Sequence, residues 1–439
     1  MHQGYFHGEI CLHDSITWKR EKPMTTKTDI LIIGGASIGL NCAYYLLKAG
    51  RKVTILEQKQ IGMGSSSGNA GQIVPSHIIP LAAPGIVGTA MKWMLNPNNS
   101  PFGMKISLDP TYISWLIKFA ASCSDANVQR GIPPLSALGQ LSAKNFVEMI
   151  KTEKFECAYI EKGALFIYKD AQAFADGKVE AKMMNTHGVP IEIFDQAAVR
   201  KLEPIILDEI VGGILMSGDS NLNPAVFLQL LGKRVRSMGA EICENTAVTG
   251  FDVVDGKIRA VKTSAGDFEA NEIVLAAGAW TPVVARDLRL NIPVQSARGY
   301  SMTMSAIKNM PGQSIFLGER RVAVTPMGDL LRFTGRLELS NLDTTVNPKH
   351  IAGIERAVRE YLHVDEKLDV KETWSGLRPT TPDGVPIIAR SSRYPNLIVA
   401  TGHAMLGLAL GPGTGQVVTE LVTKKKSSFD LSPLRLERF

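Results

Sequence analysis

Long apolar runs, paired cysteines and a strong charge of one sign are all missing from this sequence, and each absence removes a class of protein. The five cysteines, Cys11, Cys42, Cys123, Cys157 and Cys243, are odd in number, scattered and never in CxxC spacing. That excludes a disulfide framework and a cysteine zinc site, and fits a reducing compartment such as the cytoplasm. The eight histidines form no HExxH and no tight cluster with carboxylates, so no metal site is expected. A net charge of +6 over 439 residues is too thin to point to nucleic acid, and no arginine-rich or aromatic-interleaved stretch supports that partner. The most apolar stretch, 78–95, is broken by Pro80, Pro84, Gly85, Gly88 and Lys92 and does not qualify as a membrane span. It is expected to line an internal cavity, with peripheral contact to the inner face of a membrane as the alternative.

What remains is an ordinary globular composition, 45% apolar and 21% charged, long enough for two or three domains. Residues 1–23 carry His2, His7 and His13 and no apolar h-region, and are expected to be a disordered tail or upstream extension rather than a secretory signal.

The first informative segment begins with an isoleucine-rich run, Asp29 to Ile33, that suits a buried parallel strand. Gly34, Gly35, Ala36, Ser37, Ile38 and Gly39 follow, then a helix with Leu40, Ala43 and Leu47 on one face and Gly50 as its stop. Lys52 to Leu56 reads as a second strand ending at Glu57, roughly twenty residues past the first glycine. Strand, glycine turn, helix, strand and acid in this order form a dinucleotide-binding βαβ unit. The turn aims the helix N-terminus at a pyrophosphate, and the acid accepts hydrogen bonds from ribose hydroxyls while repelling a 2′-phosphate. Ala36 stands where the fingerprint has its second glycine, and its Cβ is expected to crowd the pyrophosphate. Gly64 to Gly68 matches GxSxG, but no strand precedes it and no helix follows. It reads as a small polar loop near a phosphate, not a nucleophile elbow. Near the C-terminus, a strand at 397–400 leads into Gly407, Gly411, Gly413 and Gly415 and a helix over 416–423, whose dipole would favour negative charge in the loop.

These segments, with SGNAGQIVP (67–75), APG (83–85), MKWM (91–94), EIVLAAGAW (272–280), RGYS (298–301), GLRPTTPDGVPII (376–388) and NLIVATGHAMLG (396–407), resemble the D-amino-acid oxidase superfamily of flavoproteins, and within it the bacterial D-amino-acid dehydrogenase type. The similarity runs from about residue 24 to 439. It implies an α/β fold: a Rossmann-like FAD-binding domain with a parallel central sheet, assembled from 24–85, 216–290 and 371–439. Interleaved with it would be a substrate domain built on a mixed sheet from 86–215 and 291–370. Non-covalent FAD would be held by Gly34 to Gly39, Glu57 and Gln58, by Ser65, Ser66, Ser67, Asn69, Ala70, Gly71, Gln72 and Ile73, by Ala247, Val248, Ala277, Gly278 and Trp280, and by His403, Ala404, Met405, Leu406 and Gly407.

The chemistry so implied is hydride transfer from the Cα of a D-amino acid to flavin N5, giving a 2-oxo acid and ammonia after hydrolysis, with electrons passed to a quinone or other acceptor. A cyclic secondary amine such as D-proline or D-hydroxyproline is the alternative substrate; a non-catalytic flavin-binding subunit and an NAD-dependent dehydrogenase are the other readings. Arg378 matches the family's carboxylate-binding arginine, against a structural pairing with Asp383. Tyr300 and His403 are candidate catalytic or substrate contacts, each weighed against a scaffold role. Arg332 and Arg336 are candidate second anion contacts, with a solvated strand face as the alternative. His77 and Gln72 complete the set.

Overall fold

The structure, a computed structural model, describes residues 25–94 and 100–439; the expected tail over 1–23 lies outside them. Along the chain come β1 (Thr25–Ile33), α1 (Ser37–Lys48), β2 (Val53–Leu56), β3 (Gln72–Ile73), α2 (Ile86–Met94), β4 (Phe102–Met104), α3 (Pro110–Ser122), α4 (Asp125–Glu153) and β5 (Ala164–Tyr168). Then follow α5 (Ala171–Thr186), β6 (Ile191–Asp195), α6 (Gln196–Leu202), β7 (Gly212–Met216), β8 (Ser220–Asn221), α7 (Pro224–Ser237), β9 (Glu241–Cys243), β10 (Val248–Val254), β11 (Lys257–Thr263) and β12 (Gly266–Leu275). The remainder is α8 (Thr281–Val284), β13 (Gln295–Ser305), β14 (Ser314–Leu317), β15 (Val322–Met327), β16 (Leu330–Leu339), α9 (Pro348–Arg359), β17 (Val370–Thr380), β18 (Ile387–Arg390), β19 (Leu397–Thr401) and α10 (Gly411–Thr423).

An eight-stranded sheet runs β10-β11-β12-β1-β2-β9, with β19 beside the C-terminal half of β12 and β18 beyond it. The strands β19, β12, β1, β2 and β9 are mutually parallel, so their carboxyl ends open on one side. β1 is buried on both faces, which its unbroken isoleucine and leucine run requires. Ile30 and Ile32 enter the core shared with α1 and α10, and Leu31 and Ile33 enter the core on the other side. The second sheet has nine strands in the order β17-β13-β16-β15-β14-β5-β7-β6, with β4 on β16. It is mixed: β5 runs parallel to β14, and the other neighbours along that order are antiparallel. One of its faces packs on α9.

Four expectations shift. β17 belongs to the second sheet rather than to the C-terminal FAD segment, paired along its length with β13. α4, expected with the substrate segment, packs on α10, where Ser142 Oγ donates to the Ala409 carbonyl at 2.6 Å and Asn145 meets Gln416 at 2.8 Å. The glycines before the last helix mostly lie inside it. A Cβ at Gly411 would meet Ser37 and Asn41, at Gly415 the Asn41 carbonyl, and at Gly413 the Leu138 carbonyl of α4. They let α1, α10 and α4 approach closely instead of lining a ligand loop. The apolar stretch 78–95 divides as well: Ile78 and Ala82 are buried, whereas α2 buries no residue. Among the described residues, no helix is long and apolar enough to cross a membrane.

The packing of α1 on β1 is set by Gly39, where a Cβ would overlap the Gly34 carbonyl oxygen. Gly39→Val is expected to destabilise the protein by about 1–3 kcal/mol and to lower flavin content on purification, read by thermal unfolding and the ratio of visible to ultraviolet absorbance.

Candidate active site

Four turns meet at the carboxyl ends of the parallel strands, where open α/β sheets bind ligands. After β1, Gly34 adopts φ +108, and its N–H donates to the Leu56 carbonyl at 2.9 Å. A Cβ at Gly34 would overlap the Ala276 carbonyl, so only glycine fits between β1 and β12. Ala36 is the N-cap of α1 and offers no side-chain acceptor. The Ser37 amide reaches only Ser66 Oγ at 3.3 Å, and Ser37 Oγ is buried without a partner. An uncapped helix start with an orphaned hydroxyl is chemically matched to a phosphate. After β2, Glu57 lies over the turn: Oε2 accepts from the Gly35 N–H at 2.8 Å and Oε1 from the Lys59 N–H at 2.9 Å. Gln58 is exposed beside it, and the chain leading into Ala247 and Val248 runs alongside, with the Thr246 N–H donating to the Glu57 carbonyl at 2.8 Å. After β12, Ala277 leads into the turn Gly278–Trp280, where Gly278 has φ +55 and open space at its Cβ position. After β19, His403 opens the turn Ala404–Leu406 that leads to Gly407.

The residues therefore fit FAD: an uncapped helix start suited to a phosphate, an acid at the end of β2 suited to a ribose, and small-residue turns after β12 and β19. His403 adds to this. Its Nε2 meets Thr414 Oγ1 at 3.0 Å, while Nδ1 is buried and unpartnered. Burial holds its pKa down to about 3, so the ring is neutral.

The loop between β2 and β3 is wired to both sheets. Ser65 Oγ accepts from the Leu377 N–H of β17 at 3.0 Å, and Ser66 Oγ faces α1. The Ser67 and Asn69 carbonyls both accept from Arg332 Nη1 at 2.8 Å. Asn69 Oδ1 accepts from the Gly71 N–H at 2.8 Å, and Asn69 Nδ2 lies 3.4 Å from the Met405 carbonyl. Ala70 lies in this bend, Gln72 Nε2 donates to Ser314 Oγ at 2.5 Å, and Ile73 is buried in the first core. Arg332, expected as a second anion contact or a solvated residue, is not solvated: its nitrogens turn to protein partners. It is 3% exposed, and its Nε donates to Thr303 Oγ1 at 2.8 Å. Its remaining nitrogen lies 3.6 Å from Glu372. Burial lowers its pKa to about 10, leaving it a cation at neutral pH.

Arg378 lies on β17 opposite Ala297 of β13. Its Nη1 donates to the Arg336 carbonyl at 2.9 Å, and no carboxylate of the described residues pairs with it. The competing assignment, a pairing with Asp383, fails because Asp383 is held by Arg438 at 2.7 Å. Burial pushes the Arg378 pKa down to about 10. Two residues on, Thr380 forms a bridge with His403, which brings the end of β17 to the turn after β19.

The other candidates sit elsewhere. Tyr300 is on the opposite face of the sheet from Arg378, fully buried, its hydroxyl donating to Glu338 Oε2 at 2.7 Å and its ring edge-on to His350 at 4.9 Å. Arg298 shares Glu338 at 2.9 Å. The alternation of a strand explains the correction, because residues 299 and 300 must point to opposite faces. Arg336 directs Nη1 to the Ser100 carbonyl at 2.8 Å. His77 packs against Phe166 of β5 at 6.3 Å, five strands from β17, or about 24 Å along the sheet.

Sequence reading missed Trp374. Its indole fills the places where a Cβ at Gly376 and one at Gly68 would stand, so it is clamped between β17 and the cofactor loop. The signal was present: a period of two puts Trp374, Gly376 and Arg378 on one face.

Two predictions follow from these environments. Arg332→Met leaves two partly buried carbonyls without their donor, at about 1 kcal/mol each, and should loosen flavin; dialysis against low flavin with absorbance detection measures this. His403, His77 and His350 have pKa values lowered by burial to about 3, 4 and 4, below their unfolded value. Their contribution to stability is complete above about pH 6.5 and is lost as pH falls toward those values. Asp219, raised by burial to about 7, works in the opposite sense and offsets one of them. Melting temperature should therefore fall from pH 7 to pH 5, and His350→Gln should make that fall shallower.

The sequence pattern of the FAD dependent oxidoreductase family, DAO, matches residues 29–421. A D-amino acid dehydrogenase of Methylobacterium radiotolerans is 30% identical over 417 residues, covering 93% of this chain and 99% of that protein. One from Granulibacter bethesdensis is 28% identical over 416 residues, covering 93% and 99%. Among solved structures, glycine oxidase from Geobacillus kaustophilus superposes with a TM-score of 0.78 at 21% identity, covering 94% of this chain and 99% of that one. L-proline dehydrogenase from P. horikoshii superposes at 0.73 with 19% identity, covering 95% and 98%. With a glycine turn after β1, an acid at the end of β2 and small-residue turns after β12 and β19, and a family pattern spanning nearly the whole described chain, the protein belongs to the DAO family of FAD-dependent oxidoreductases.

Proposed function

We propose that this enzyme oxidises D-amino acids to 2-oxo acids and ammonia and passes the electrons to a quinone or a comparable acceptor. The observation that carries the reading is the Arg378 guanidinium, which has no acidic partner among the described residues and shares its sheet face with Trp374, whose indole meets Gly68 of the loop after β2. A planar guanidinium grips a carboxylate in bidentate fashion and so fixes the position of the adjacent Cα. Bound FAD supplies the hydride acceptor. The protein's part is orientation: Arg378 holds the carboxylate, Trp374 walls the adjacent space, and the turns after β12 and β19 fix the depth of the site. His403, neutral and bonded to Thr414, is a poor proton acceptor at neutral pH, so the substrate amine loses its proton to solvent. The curated relatives named D-amino acid dehydrogenase support the substrate class and its handedness.

An acceptor dissolved in lipid requires contact with a bilayer, and the exposed apolar side chains between 87 and 117 suit it. Val87, Met91 and Met94 of α2 are exposed, as are Ile113 and Ile117 of α3, and between them Ile106 and Leu108 are 85% and 87% exposed. Lys92, Lys105 and Lys118 are interspersed. Apolar side chains among lysines favour shallow attachment to an anionic surface.

Anaerobic addition of D-alanine, D-proline and their L-isomers to the purified yellow protein tests the reaction. Bleaching by the D-isomers alone is expected; bleaching only by L-isomers overturns the handedness. Arg378→Ala should raise KM by about a hundredfold while flavin stays bound. The pH profile of kcat/KM should rise with deprotonation of the substrate amine and show no inflection from His403. Ile106→Glu with Leu108→Glu should abolish sedimentation with phosphatidylglycerol vesicles without altering dye-linked activity.

A further inference from the structure

Arg378 starts on β17 opposite Ala297, yet its guanidinium lies two residues along the neighbouring strand, at Gly299 of β13. A Cβ built on Gly299 would fall directly on the guanidinium: its three nearest atoms are Nη2, Cζ and Nη1 of Arg378. Beyond β13, the Arg336 carbonyl of β16 accepts from Nη1 at 2.9 Å. That carbonyl belongs to a residue with φ +60, next to a register shift between β13 and β16 at Arg298 and Tyr300. A bulge of this kind re-aims the backbone. Gly299 is also the register partner of Gly376, whose missing side chain is the seat of the Trp374 indole. Two facing glycines thus make adjacent seats, one for the guanidinium and one for the indole, with Cβ positions about 5 Å apart. The φ of Gly299 is not in the left-handed region, so turn geometry does not explain the glycine. The space it leaves does.

We propose that Gly299 is the positioning residue for Arg378: the absence of a side chain at 299 lets the guanidinium cross β13, dock on the bulged Arg336 carbonyl and present its remaining N–H groups to a carboxylate. The inference rests on the reading of Arg378 as the carboxylate anchor, and the test separates the two.

Four holoenzymes are compared: wild type, Gly299→Ala, Arg378→Ala and the double variant. Propanoate, a carboxylate that cannot be oxidised at an amine, is titrated by calorimetry, and melting temperature and flavin content are recorded. Gly299→Ala is expected to weaken propanoate binding tenfold or more and to lower the melting temperature, with flavin content unchanged. In the Arg378→Ala background the added methyl meets no guanidinium, so the second substitution should change neither quantity further. Wild-type propanoate affinity in Gly299→Ala, or equal losses from that substitution in both backgrounds, would overturn the proposal. Should Gly299→Ala not fold, the double variant decides: a folded double upholds the proposal and an unfolded one overturns it. If Arg378→Ala alone leaves propanoate affinity unchanged, the anchor reading fails, while the melting temperatures still decide whether Gly299 seats Arg378.

Discussion

The buried guanidinium of Arg332 is the contact on which the relation between the two sheets depends. It rises from the second sheet and holds two consecutive bends of the loop that follows β2, at Ser67 and Asn69. A buried cation is costly unless every donor finds a partner, and here two carbonyls, a threonine hydroxyl and the nearby Glu372 supply them. The same loop touches the start of α1 through Ser66 and β17 through Ser65. One short segment is thereby tied at once to the uncapped start of α1 and to the strand that carries Arg378.

Division of labour between the faces of the second sheet follows from strand geometry. On β13 and β17 one alternating set holds Arg378, Gly376, Trp374 and Gly299, turned to the cofactor loop, whereas the other holds Arg298, Tyr300 and Met302, turned to α9. The inward set is quiet in charge terms: Arg298 and Tyr300 both close on Glu338, and His350 beside them is neutral. The outward set keeps a guanidinium without a counter-charge. An anionic ligand is the natural complement of that asymmetry.

Much of the cofactor half was legible because its signals are local. Gly34, Gly39 and Glu57 lie within one βαβ unit, and a strand, a turn and a helix each leave a periodic trace. The second half was less legible because its contacts are remote in sequence. Nothing local distinguishes Arg332, which grips a loop far upstream, from Arg378, which has no acidic partner; both are arginines on strands. Tyr300 looked like a site residue because it lies within RGYS at the start of a strand, but the parity of that strand puts it on the face opposite Arg378. Gly411, Gly413 and Gly415 resembled a ligand loop and proved to be contacts between helices, since the composition of a close-packed helix start and of a phosphate loop is the same. The FAD segment boundary expected at 371 failed for a related reason: β17 leads into the C-terminal cofactor motif yet pairs with β13.

The first sheet has a temporal consequence. β1 and β2 are made early, yet their neighbours β12, β19 and β9 come from the middle and the end of the chain, and α1 finds its partner α10 only after almost everything else exists. At ribosomal speed the apolar face of β1 waits on the order of tens of seconds for that cover. Until then Leu31 and Ile33 have only Leu56 of the same early segment from their core, and the nascent chain displays a strand edge. The order of synthesis thus sets the order of assembly: the βαβ unit comes first, and the strand that closes its edge only after more than half of the chain has been made.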